Sequence, residues 1–107
     1  MKDIDKIIYE RKMKYKRLLI TLNFKVGTVG FRYWVNALEF YNSNLNMMEI
    51  YKKIAAQNNV SISIVEMAMR KSKESAKMNI RKRYNYSGKL SNSAVLYLLK
   101  EVDYENI

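Results

Sequence analysis

Six residues near the middle of the chain, Ser63, Ile64, Glu66, Met67, Arg70 and Lys71, are spaced so that a helix would carry them on one side. Their chemistry is that of recognition, not of bond breaking. The Arg70 guanidinium is a planar fork of donors that fits a pair of acceptors on a flat partner, such as O6 and N7 of guanine. Lys71 offers a point charge for the same edge or for a phosphate. Glu66 can accept from an amino group such as that of cytosine, and Ser63 brings a hydroxyl. Ile64 and Met67 offer apolar contact alone, for instance to a thymine methyl. Around this set stand Lys52, Lys53, Lys73, Lys77, Arg81, Lys82 and Arg83, cations suited to phosphate oxygens and indifferent to base sequence. Glu66 has a second reading, as the closing carboxylate of a capping box opened by Ser63.

Composition narrows the alternatives. The 107 residues contain no Cys and no His, which removes disulfides, thiolate or imidazole metal sites and Cys or His catalysis. No acid/base pair suggests itself, so no catalytic residue, metal ligand or cofactor is assigned, and the chain does not read as an enzyme. Twenty basic residues against ten acidic ones give a net charge of +10, which favours a polyanionic partner through long-range attraction and counterion release. A second basic cluster, Arg11, Lys12, Lys14, Lys16 and Arg17, lies near the N-terminus. Tyr84 and Tyr86 beside Arg81 to Arg83 could stack on unpaired bases, or could lie as lids on a core. No apolar run approaches the ~20 residues that span a bilayer, and no secretion signal is evident, so a cytoplasmic protein is expected.

The absence of Pro and the presence of only three Gly leave little to interrupt helices. Ile4, Ile7, Ile8, Tyr15, Leu18, Leu19 and Leu22 predict a first helix from about Asp3 to Leu22, its other face carrying the first basic cluster. A break at Lys25 to Gly30 precedes a helix with Phe31, Trp34, Val35, Leu38 and Tyr41 on one stripe. Asn46 with Glu49 predicts a third helix starting at Met47 and ending at Asn58-Asn59. Ser63 with Glu66 predicts a fourth, running to about Met78 with Val65, Ala68, Met69, Ser72 and Ala76 inward. Tyr84 to Lys89 reads as a loop. Ser91 or Asn92 caps a last helix that buries Val95, Leu98, Leu99 and Val102. The fold expected is all-α: one domain over residues 1–107, a compact bundle of five to six helices.

Within it, residues from about 47 to 77 carry the pattern of a helix-turn-helix. Ala55 is the small residue where two helices cross, Asn59 the turn, Val60 the first anchor, and Val65 with Ala68 the inner face of the second helix. On this reading the segment 63–78 enters the major groove.

The chain also resembles a known family, the C-terminal DNA-binding effector domain of the master response regulator of sporulation initiation. The resemblance runs from about Leu18 to Val102. It rests on Gly30-Phe31-Arg32-Tyr33-Trp34, on Lys53-Ile54-Ala55, on Ser63-Ile64-Val65-Glu66-Met67-Ala68-Met69-Arg70 and on Lys89-Leu90-Ser91-Asn92-Ser93. It implies a helical bundle that binds a short duplex box, often in tandem copies, here as a stand-alone homologue without the receiver domain. Ile64 and Met67 stand where the family has arginines, Lys71 where it has histidine and Lys25 where it has proline. The Lys-, Asn-, Ile- and Tyr-rich composition suggests a mobile element.

The expectation is thus a sequence-specific regulator of transcription with double-stranded DNA as partner, for which tandem sites would suit a homodimer, and with no membrane partner. The alternative is a protein-interaction module or inhibitor on the same scaffold, with a host protein as partner.

Overall fold

The computed structural model describes residues 3–103, and among these only helices and the turns between them occur. Helix α1, Asp3–Thr21, buries Tyr15 and Leu19. Asn23 then turns left-handed (φ 71°), and Phe24 N–H donates back to the Leu19 carbonyl at 3.0 Å, which tucks Leu22 and Phe24 into the core. The N-terminal part of the α1 stripe has no such cover: Ile4, Ile7 and Ile8 are 65, 53 and 44% exposed. Periodicity defines the apolar face of a helix but not the point where the body beneath it stops.

Thr28 caps α2, Val29–Phe40, its hydroxyl accepting from Phe31 N–H at 3.1 Å. Of the expected stripe, Phe31, Trp34, Val35 and Leu38 are buried and Tyr41, the C-cap, is half-buried; Trp34 is wholly enclosed, edge-on to Phe24 at 5.3 Å between ring centroids. Asn46 caps α3, Met47–Asn58, accepting from Glu49 N–H at 2.9 Å. Asn59 closes α3 in the left-handed conformation (φ 54°), and Val60 N–H reaches the Ala55 carbonyl at 3.0 Å.

Helix α4 departs from expectation at both ends. It spans Ile62–Lys73 and is capped by Ser61, which accepts from Ile64 N–H at 3.3 Å, not by Ser63. Its third residue is therefore Ile64, and Glu66 closes no capping box. A tight 3-10 turn, Glu74–Ala76, then redirects the chain into α5, Lys77–Tyr84, where a continuation of α4 to Met78 was expected. Asn85 (φ 49°) ends α5 and opens the expected loop. Ser91 caps α6, Asn92–Tyr97, which runs on as a π-helical turn, Leu98–Asp103. Glu101, in that turn, accepts a 2.5 Å hydrogen bond from Tyr41.

One cluster of buried side chains joins these elements, from Tyr15 and Leu19 of α1 to Val95 and Leu99 at the C-terminal end. The most extensive helix–helix contact is between α2 and α4. Trp34 Nε1 donates to the Met69 carbonyl at 2.9 Å across it. On the opposite side of α4 lies a buried polar network. Lys73 Nζ donates to Asn92 Oδ1 at 2.7 Å, while Asn92 Nδ2 donates to the Tyr51 hydroxyl at 3.0 Å and to the Glu66 carbonyl at 3.2 Å.

That network sets a pH dependence. Burial lowers the Lys73 amine from 10.5 to about 8, helped by nearby Lys77. Between about pH 8 and 10 the unfolded chain holds a Lys73 proton that the folded protein has released, so stability rises with pH. Burial also raises the Tyr51 phenol, and burial with the Glu101 hydrogen bond pushes Tyr41 from 10.0 to about 12. Above pH 10 those tyrosines ionise first in the unfolded chain, so stability falls again. Melting temperature followed across this range should pass through a maximum near pH 10, and Lys73→Met should flatten the rise below it.

Candidate nucleic-acid interface

The fold holds α4 by one side and leaves the other bare. Val65 and Met69 are wholly enclosed and Ser72 is buried against α2, whereas Ser63, Ile64, Met67, Arg70 and Lys71 form an exposed ridge with half-buried Glu66 at its edge. The six residues singled out for base contact therefore share one side of one helix, as their spacing requires.

Each flank of the ridge is a groove carrying cations. On the α2 side, Ile64, Met67 and Lys71 face Lys25, Thr28, Val29 and Gly30. Thr28 and Val29 also line a neighbouring groove with Lys12, Lys16 and Arg32, so the basic part of α1 continues the surface. On the α6 side, Glu66 and Arg70 look across to Lys89 and Ser91, with Lys77 and Arg81 farther along.

These charges are held in place to different degrees. Arg70 Nε lies 3.5 Å from Glu66 Oε1, with both side chains partly exposed, at 54 and 40%. Such a pair is worth less than about 1 kcal/mol and yields readily to a stronger acceptor. Lys77 pairs with Glu74 at 3.0 Å. Arg81 is anchored by donating to the carbonyls of Tyr86 at 3.3 Å and Gly88 at 2.8 Å, and this fixes the loop after α5. Tyr84 and Tyr86 are half-buried and packed against the core, the lid arrangement and not an open stacking platform.

Lys73 is a correction. Expected as a phosphate contact, it is 3% exposed and its amine is engaged with Asn92. Lys73 follows Val65 and Met69 at successive steps of four, on the enclosed side of α4, so it stands beneath the surface formed by its neighbours. Lys52, Lys53, Lys82 and Arg83 are exposed but line neither groove beside α4. Lys53 instead sits over the Phe40 ring of α2 at 5.8 Å, and Arg83 over Tyr84 at 6.0 Å. Lys25, Thr28 and Lys89 join the site unannounced by the sequence. Lys25 and Lys89 lie in loops beside Gly27 and Gly88, where no periodicity marks the side that faces α4.

Among the described residues no helix is long and apolar enough to cross a membrane. Comparison with known protein families, curated proteins and solved structures yields no match to this chain.

Proposed function

We propose that the chain is a sequence-specific regulator of transcription that binds double-stranded DNA, with the α3–α4 pair acting as a helix-turn-helix and α4 in the major groove. The observation that carries this reading is the exposed ridge of α4 between two cation-bearing grooves. A helix about 10–12 Å across fits a major groove about 12 Å wide, and phosphates then lie along both of its flanks. The buried Ala55, left-handed Asn59 and half-buried Val60 support the reading, being a small residue, a turn and an apolar anchor of the kind such a motif needs. The resemblance to the sporulation effector domain supports the same reading, with a target set by Ile64 and Met67 in place of that family's arginines.

Arg70 reads a base in this arrangement, while Lys89, across the α6-side groove, grips phosphate. A cognate duplex selected from a randomised library provides the substrate. On it, Arg70→Ala should cost about 1–3 kcal/mol and relax base choice at one position. Lys89→Ala should weaken cognate and random duplexes alike. With about six phosphates neutralised, log K should fall against log salt with a slope near −5. Equal losses on cognate and random DNA for both variants would reject the placement of α4.

A second reading is favoured by the apolar character of the α2-side groove, where Ile64, Met67 and Val29 meet. In it the same ridge docks a host protein and inhibits it. A stoichiometric protein partner, with no duplex affinity at moderate salt, would decide for that reading.

A further inference from the structure

The apolar seam of α1 is longer than the body it packs on. Ile4, Ile8, Arg11, Tyr15, Leu18 and Leu22 follow one another at alternating steps of four and three, the spacing of a two-helix seam. Tyr15 and Leu22 are buried within the chain, yet every residue from Asp3 to Lys12 is exposed. Over residues 3–11 no described residue of the chain covers that surface, and Lys12, where the body begins, pairs with Glu39 of α2 at 3.8 Å.

Charge along the helix says what fits there. Its tip, residues 3–10, holds Asp3, Asp5 and Glu10 against Lys6; its root, residues 11–17, holds five cations and no acid. A second α1 laid parallel would set acid on acid and base on base. Laid antiparallel, it sets each acidic tip on the other's basic root, through one self-complementary surface about a twofold axis. Arg11 interrupts the seam at the join of tip and root, where the partner's acids meet it. A single polar seam residue of this kind specifies pairing at some cost in strength. We infer that the exposed part of α1 binds a second copy of this chain, antiparallel, with Ile8 near the twofold axis and each acidic tip on the partner's basic root. The arrangement rests on α1 alone and holds whether or not α4 binds DNA.

Sedimentation equilibrium of the full chain at physiological ionic strength tests it without nucleic acid. The protein should sediment at the mass of two chains. Ile4→Ser with Ile8→Ser should weaken association by about tenfold or more and leave the helical circular dichroism of the folded chain unchanged, because neither residue belongs to the core. Asp3→Lys with Asp5→Lys should also dissociate the pair. Adding Arg11→Glu and Lys12→Glu to that same chain should restore it, since tip and root are then both reversed. In a parallel pair the tip reversal would merely exchange one like-charge contact for another, leaving association unchanged. The inference is overturned by a single-chain mass for the unaltered protein at every concentration, by association that survives the isoleucine substitutions, or by failure of the double reversal to restore it. A single-chain protein that co-sediments through Ile4 and Ile8 with phosphatidylserine vesicles would assign the seam to a lipid surface and overturn it equally.

Discussion

Trp34→Ala is expected to cost about 3–5 kcal/mol, the largest loss from any single side chain here. Trp34 is wholly buried, meets Phe24 edge-on, and donates its indole N–H to the Met69 carbonyl of α4. Truncation removes the ring's transfer free energy, leaves a cavity between α1, α2 and α4, and strips a carbonyl of a partner. At about 4–8 °C per kcal/mol for a chain of this size, melting should fall by roughly 15–30 °C. Since such domains have only about 5–15 kcal/mol in total, the substitution removes a large share of the reserve against unfolding. Trp34→Phe isolates the hydrogen bond: it should recover most but not all of the loss. A change of under about 1 kcal/mol for Trp34→Ala in urea titration would contradict the central place given to this ring.

Gly30→Ala is the second. A Cβ at position 30 would approach the Ala68 backbone oxygen to within van der Waals overlap and Ser72 Cβ to 2.7 Å. The obstacle is the α4 backbone, which cannot swing aside as a long side chain can, so α2 and α4 must separate. A cost of about 3 kcal/mol is expected, at the upper end for overpacking, although alanine is the better helix former. The functional consequence is separable from the stability loss. Under conditions where the variant is folded, displacement of α4 relative to Lys25 and Thr28 should weaken binding to a cognate duplex more than to a random one. Chemical denaturation and duplex titration on the same preparation measure the two effects.

The helical fold was legible in the sequence because its signals are local. Caps at Asn46 and Ser91, the left-handed Asn59 and the stripe of α2 each depend on residues within a turn or two of one another. The errors arose where two local readings competed or where a distant residue decided. Ser61 and Ser63 can both open a helix, and Glu66 favours the wrong one by imitating a capping box. Helix α5 hides because Ile80 is its only fully buried residue, too little for a period to show. The exposed side of α4, with Ser63, Ile64, Met67, Arg70 and Lys71, followed from spacing. The same spacing puts Lys73 on the inner side, four residues after Met69, but its charge argued for the surface, and the partner that makes burial tolerable, Asn92, lies nineteen positions away. The Ile4 to Ile8 stripe was visible as a pattern, but a pattern does not disclose whose surface completes it.

The network centred on Asn92 has an energetic corollary. With Trp34 fastening α4 to α2 on one side and Asn92 tying it to α3 and α6 on the other, the helix is preorganised before any ligand arrives. Ordering entropy, which commonly drains several kcal/mol from the association of pliable segments, is then already settled by folding. Rigid-body docking should leave its mark in calorimetry: a heat-capacity change accounted for by the contact area alone, without the excess that coupled folding adds.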